Sequence, residues 1–475
     1  VRIFSTIRYP QVFRPWAKGS ASESTGTGFF IETPDGQRLI LTNNHVVRWA
    51  SQIYVQGYQS SDRHRVSVVA SAVDFDLALL KLRSDDALAD APTLSFAQEL
   101  PETRDTVSVY GYPTGGNEMS TTKGIVSRIE VAGYDENAVG LRVQVDAAVN
   151  PGNSGGPAMV GDEVVGVAFQ ADTDAENIGY LIPATEVRRF LDDALDGEYI
   201  GKPLLEMQYQ TLENPALRRR LGLESNQTGV LITRENPGHP GMPSNSQLKA
   251  DDVITHIGPH DIDNHGQTEI APNLRGHFSY FIESTNREDQ TVPLTVIRDG
   301  ESIEVFEPSY LDNPNLVPFI GNAYPRYYIF GPMSFTQVTT MYYNTINESY
   351  RPVLGVYNSP LITRVIDRKA FPEEELVCVS SPFFPHPSIR NYDDPHLYVV
   401  EAVNGIKIRN LEHLVTVLNE SEDEFLEFTY GGNLGERMTF DRLEMKESTE
   451  EILNDNGIRY QYSSDLRDLA EQYEQ

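Results

Sequence analysis

Apolar residues along this chain recur in short runs broken by Gly, Pro, Asn and Asp, the pattern of many short β-strands separated by turns. Leu39-Ile40-Leu41 runs into the polar turn Thr42-Asn43-Asn44-His45. Leu77-Ala78-Leu79-Leu80 is apolar at successive positions, which marks a strand covered on both faces. Residues 25–31, 167–170, 178–183, 229–234 and 253–257 read as further strands. Helical spacing is confined to a few places. It occurs at 186–196, with Gly197 as a stop, and again at 214–221, 335–344 and 411–418. Residues 309–320 are rich in Pro and Asn and read as a linker.

Three polar sites at the ends of apolar runs carry candidate chemistry. Residues 144–157 read Gln-Val-Asp-Ala-Ala-Val-Asn-Pro-Gly-Asn-Ser-Gly-Gly-Pro and place Ser154 in a tight glycine-rich turn. Gly152, Asn153 and Ser154 form the candidate oxyanion hole, in which the N–H groups of Gly152 and Ser154 point at one spot. A serine hydroxyl is a poor nucleophile alone and needs a base and an orienter. His45, where its strand ends, is the candidate base. Asp76 is the candidate orienter. Asp74 competes with it, and Asp76 is preferred because it abuts the Leu-Ala-Leu-Leu run. The chain order His, Asp, Ser is that of the chymotrypsin-type double barrel.

These residues resemble the Deg/HtrA family of serine proteases. The match includes Thr-Gly-Thr-Gly-Phe-Phe-Ile at 25–31, Thr-Asn-Asn-His-Val-Val, Asp-Leu-Ala-Leu-Leu-Lys-Leu, Tyr-Gly-Tyr-Pro at 110–113, residues 146–157, and Ile-Gly-Tyr-Leu-Ile-Pro at 178–183. The resemblance implies an ATP-independent endopeptidase, often with chaperone activity, built from trimers and carrying PDZ domains. By comparison with trypsin-like relatives, Ala148 lies at the base of the S1 pocket, with Val149 and Ile178 beside it. Such a pocket cannot pair a buried cation, so an aliphatic P1 residue is expected. By analogy in spacing, 167–170 would pair with the substrate backbone. Tyr9, Phe13 and Trp16 are expected to pack between protomers around the threefold axis.

Beyond the protease, Leu-Lys-x-x-Asp-Val-Ile at 248–254 and Val-Asn-Gly at 403–405 resemble the two PDZ domains of the plant-type Deg branch. The organisation expected is therefore an all-β chymotrypsin-like double β-barrel protease domain at 1–197, then two α+β PDZ-like domains at 198–308 and 321–446, then a tail at 447–475. Neither binding loop follows the peptide-binding pattern. The first, near 203–207, lacks the usual glycine and carries Glu206. The second, Ile329-Phe330-Gly331-Pro332, has a proline where an N–H donor is wanted. Contact or regulatory use stands beside peptide capture for both. The histidines 256, 260 and 265 with Asp261 and Asp263 sit in a Gly/Asn-rich hairpin tip, and no metal site is expected there.

Composition narrows the partners. At 475 residues the chain is too long for one core. A net charge of −31 disfavours phosphate backbones and anionic lipid surfaces, so no nucleic acid is expected. No apolar run is long enough to span a membrane. The single cysteine, Cys378, has apolar flanks and is expected to be a buried thiol. The chain opens at Val1 and not Met, so a targeting segment is expected to have preceded it. A periplasmic or otherwise exported location is expected, with a plant organelle or the nucleus as the alternative. No cofactor is needed. The function expected is cleavage of unfolded or damaged proteins. The alternatives are a holdase or scaffold with an idle triad, and a processing protease dedicated to one partner.

Overall fold

The apolar runs become the strands of two curled antiparallel sheets. The computed structural model describes all residues except 85–86, 115, 117, 135–137, 172–177, 196–198, 235–244, 285–289, 312–313, 434 and 474–475. The expected helix stop at Gly197 lies outside the described residues. The first sheet has seven strands in the order Ser22–Thr27, Arg2–Ile7, Ala50–Gln56, Arg63–Ala72, Leu77–Leu82, Arg38–Thr42, Phe29–Glu32. Its two edge strands are consecutive in the chain and joined only by Gly28, so the backbone itself draws the edges together. The second sheet is a closed six-stranded barrel running Ala138–Val145, Gly179–Pro183, Glu163–Ala171, Pro157–Val160, Thr106–Gly111, Ser120–Tyr134.

Period-two geometry explains the continuous apolar run at 77–80. Ala78 and Leu80 fill the first barrel with Ile3, Ile40 and Val55. Leu77 and Leu79 point the other way, into a second cluster with Val167, Ile182 and Phe190. That cluster is sealed by the helix Ala184–Ala194, which buries Val187, Phe190 and Ala194. The strand therefore needs apolar residues on both faces.

The chain divides into two compact units. One takes Val1–Ile7, 21–234 and 245–311, and so joins the protease barrels and the first PDZ-like domain. In that domain, Gln208–Thr211, Val230–Arg234, Val253–Ile257, Thr291–Arg298 and Glu301–Pro308 form one sheet, with His260–Asp261 paired to the third of these. The hairpin Gln267–Ala271/Leu274–His277 leads into a 3-10 helix, Phe278–Ser284.

The other unit takes 314–473 together with Arg8–Ser20. It holds a three-stranded sheet, Tyr328–Phe330, Met333–Gln337 and Val377–Val379. A four-stranded sheet accompanies it, in the order Ile406–Lys407, Val400–Val403, Phe425–Tyr430, Met438–Asp441. The expected helix at 411–418 is present as Leu411–Glu420, capped by the Asn410 side chain. The helix expected at 335–344 is instead a strand followed by a short helix, Thr340–Thr345. The strand wins because Gly331, at φ +54°, turns the chain back so that Met333–Gln337 pairs with Tyr328–Phe330 and with Val377–Val379.

One further expectation changes. The boundary placed at 446/447 falls inside the helix Arg442–Asp455, and the supposed tail completes the unit. Ile329 N–H donates to Gln461 O at 2.9 Å, and Tyr328 bridges Tyr462 antiparallel, so 461–463 run alongside the edge Tyr328–Phe330. The loop N–H of Gly331 donates to the Thr449 hydroxyl at 2.8 Å. Phe13 and Trp16, two of the three aromatics expected between protomers, also make contacts within their own chain. Phe13 stands edge-on to Tyr342 at 5.2 Å, and Trp16 lies 5.3 Å from Phe384. Tyr9 alone of the three is largely exposed, at 53%.

Candidate active site

The strand Arg38–Thr42 ends in one helical turn, Asn44–Val47, which carries His45. Its side chain is 47% exposed, whereas that of Asp76 is 8% exposed. Asp76 ends a tight turn, 73–76, closed by its N–H to Val73 O at 3.2 Å, with a left-handed φ of +55°. Its carboxylate reaches His45 twice. One oxygen lies 2.6 Å from Nδ1 and the other accepts the His45 backbone N–H at 2.8 Å. The Asp76 carbonyl accepts from Asn44 N–H at 3.1 Å and from the Asn43 side chain at 3.0 Å. A buried carboxylate on Nδ1 fixes the tautomer that leaves Nε2 unprotonated. Asp74, the rival orienter, is held elsewhere: it accepts from the Tyr199 hydroxyl and from Lys202 N–H.

The Ser154 turn uses two left-handed glycines, Gly152 at φ +100° and Gly155 at φ +85°. A Cβ on Gly155 would strike the Thr27 carbonyl and the Thr42 hydroxyl. The turn is thus seated on Thr42–Asn43, the residues leading into His45. Asn153, Gly155 and Gly156 donate their N–H groups to Asn150, Ala168 and Asn153 carbonyls. Among the described residues, the N–H groups of Gly152 and Ser154 donate to no backbone carbonyl. Asn153, included in the expected hole, belongs to the turn but has its N–H engaged. The Ser154 hydroxyl donates to Phe169 O at 3.2 Å.

Thr27 is a site residue that sequence reasoning missed. Its hydroxyl donates to Gly152 O at 2.7 Å and accepts Tyr112 N–H at 2.9 Å, while its N–H donates to Ser154 O at 2.9 Å. A threonine beside two glycines in 25–31 was the only local signal.

The pocket residues separate. Ala148 and Ile178 are half-buried, while Val149 packs into the barrel core with Val145 and Leu181. Val167 and Ala168 are already paired to Ile182 and Leu181, Val167 also to Pro157, and Ala168 N–H donates to Gly156 O. They are unavailable to a substrate strand, contrary to expectation. Phe169 sits at a bulge in the ladder, which resumes with Gln170 opposite Tyr180.

Among the described residues, no group of three or more His, Cys, Asp or Glu is arranged to hold a metal. His256 pairs with Asp261 at 2.8 Å, His265 with Glu213 at 3.3 Å, and His260 stacks on Phe281. Among the described residues, no helix is long and apolar enough to cross a membrane.

The trypsin-like peptidase domain family matches residues 26–167, and the PDZ domain family matches 319–465. The mitochondrial Protease Do-like 4 of Arabidopsis thaliana is 35% identical over 88% of this chain and 76% of its own. The chloroplastic Protease Do-like 2 of the same plant is 34% identical over 98% of this chain and 75% of its own. The chain belongs to the Do-like, or Deg/HtrA, family of serine proteases. An AlgW variant of the HtrA type, solved with a decapeptide, shares the fold. It has a TM-score of 0.50 and 21% identity, over 66% of this chain and 94% of that one. This Do-like protease is a serine endopeptidase. Its PDZ match runs on through the helix Arg442–Asp455 and the paired residues 461–463.

Proposed function

We propose that this Do-like protease cleaves unfolded or damaged proteins without ATP, using His45, Asp76 and Ser154 as its triad. The observation that carries the reading is the double grip of Asp76 on His45, at 2.6 and 2.8 Å, beside a serine turn in which, among the described residues, the N–H groups of Gly152 and Ser154 donate to no backbone carbonyl. His45 takes the Ser154 proton once the hydroxyl turns from Phe169 O. It then returns the proton to the leaving amine. Asp76 stabilises the imidazolium. The N–H groups of Gly152 and Ser154 hold the developing oxyanion. Ser154 carries the acyl group until water removes it.

Ala148 and Ile178 present no charge to a P1 side chain, which supports an aliphatic preference. A threefold assembly rests on the family, with Phe13 and Trp16 already occupied within the chain. A monomer mass by light scattering at moderate salt would remove that part. Two relatives named for mitochondrion and chloroplast favour the organelle alternative over the periplasm. The deciding experiment is casein digestion with mass-spectrometric mapping. Wild type should cut mainly after Val, Ala or Leu, and Ser154→Ala should be slower by about 10⁴–10⁶ while staying folded. Persisting cleavage in Ser154→Ala rejects the triad, and cuts mainly after Lys or Arg reject the pocket.

A further inference from the structure

Asp76 does not reach His45 unaided. The turn that carries it, 73–76, is gripped at its other end. One oxygen of Asp74 accepts the Tyr199 hydroxyl, and the second accepts Lys202 N–H at 3.1 Å. The Tyr199 ring lies 5.8 Å from Phe190, which lies 6.2 Å from Phe75. The Lys202 ammonium sits 4.2 Å over the Phe75 ring and 3.8 Å from the buried Glu186. Residues 200 and 201 are fixed from below by Asp193, which is fully buried and accepts their N–H groups at 3.2 and 2.9 Å. Residues 199–202 thus clasp Asp74 and Phe75 directly before the left-handed Asp76. The buried Asp193 and the half-buried Asp74 each accept two hydrogen bonds from this one short segment, which makes it a fixed part of the site and not a slack connector.

We propose that Asp74 is a positioning residue for the triad acid, and that residues 199–202 are the anchor through which it holds Asp76 against His45. This rests on the triad reading above. Asp74 reaches Asp76 only through the backbone of the turn. Loosening its grip lets the turn relax from φ +55°, and the carboxylate loses the geometry that supports the imidazole. A displacement of about 1 Å at a reacting group can cost about 10²-fold in rate.

The test uses the full chain and an internally quenched peptide bearing a cleavage site mapped in casein. Asp74→Asn halves the grip, and Tyr199→Phe removes one hydroxyl with little change of shape. In both, kcat should fall, by about 10–100-fold in the first and less in the second, with KM within about twofold. The acid limb of kcat/KM should also move to lower pH, since an imidazole less supported by a carboxylate is less basic. A purely architectural role predicts a lower melting temperature with an unmoved acid limb, and that result overturns the proposal. So does wild-type kcat in both variants. If Asp74→Asn does not fold, Tyr199→Phe decides alone. Activity in Ser154→Ala would instead sink the triad reading, so the two failures are distinguishable.

Discussion

Cys378 is the middle residue of the strand Val377–Val379, paired to Thr336 on one side and bridging Val399 on the other. Burial pushes its thiol up to about 12, with a Tyr342 hydrogen bond opposing the rise. Thiolate is the reactive form, so at pH 8 almost none is present, and no reagent reaches the sulfur without opening the sheet. Ellman's reagent should therefore react with native protein more than ~100-fold slower than with denatured protein. Rapid native labelling would show that the strand Val377–Val379 opens freely. Glycine 155 makes a parallel case, since Thr27 and Thr42 leave no room for a Cβ there.

At the scale of elements, the short helix–strand contacts of the second unit are stapled by single polar bonds. Thr449, on the helix Arg442–Asp455, takes the Gly331 N–H at 2.8 Å in a buried setting. Thr449→Val keeps the shape and orphans that N–H. It should cost about 1–3 kcal/mol of stability, seen as a lower melting point of the second unit, while peptide cleavage by the folded enzyme is unchanged. An unaltered melt would mean that water replaces the hydroxyl. This helix also illustrates what the sequence left hidden. Residues 447–475 read as a tail, yet Leu466 is buried in the core with Met445 and Leu418. Phe335, Val338 and Tyr342 fall at helical spacing by coincidence, because a strand and a helix share that stretch. The double barrel and its functional turns were legible because each candidate triad residue interrupts or ends an apolar run. Thr27 was not, since its partner Gly152 is distant in the chain and only the fold brings them together. Local pattern preferred Asp76 to Asp74 as the orienter but gave no duty for Asp74. Tyr199 and Lys202, far along the chain, supply one.

For the whole molecule, acid should act in two stages. His277, hydrogen-bonded to Tyr209 and Ser279, is held below the usual 6.5 by burial. His396 is likewise lowered by burial, with Asp394 opposing. The folded state therefore binds fewer protons at these sites. Their contribution is complete above 6.5 and is lost as pH falls through the lower folded values. Asp263 and Asp465 are held below 3.8, since their hydrogen bonds and the charges of Arg275 and Arg326 outweigh burial. Their share persists until pH drops below 3.8 and then disappears. Melting temperature should thus decline first below pH 6.5 and again below pH 4. Replacing both histidines with Gln should flatten the first step and leave the second. A melt independent of pH from 7 to 5 would contradict this account.

The second unit is sewn from distant parts of the chain: residues 8–20 supply Val12, Phe13 and Trp16 to its core clusters, and 461–466 supply the segment alongside its edge and Leu466. A ribosome delivers these pieces far apart in time. The barrels have all their strands once residue 183 has emerged, but segment 8–20 must then wait, with apolar rings uncovered, for its partners at 316–399 and 452–458. Loop closure over so long a span is slow, and the waiting rings are a hazard for aggregation. Closure of the second unit is thereby tied to the emergence of residues 452–466, and a nascent chain stalled before them would carry formed barrels beside an unsatisfied apolar segment.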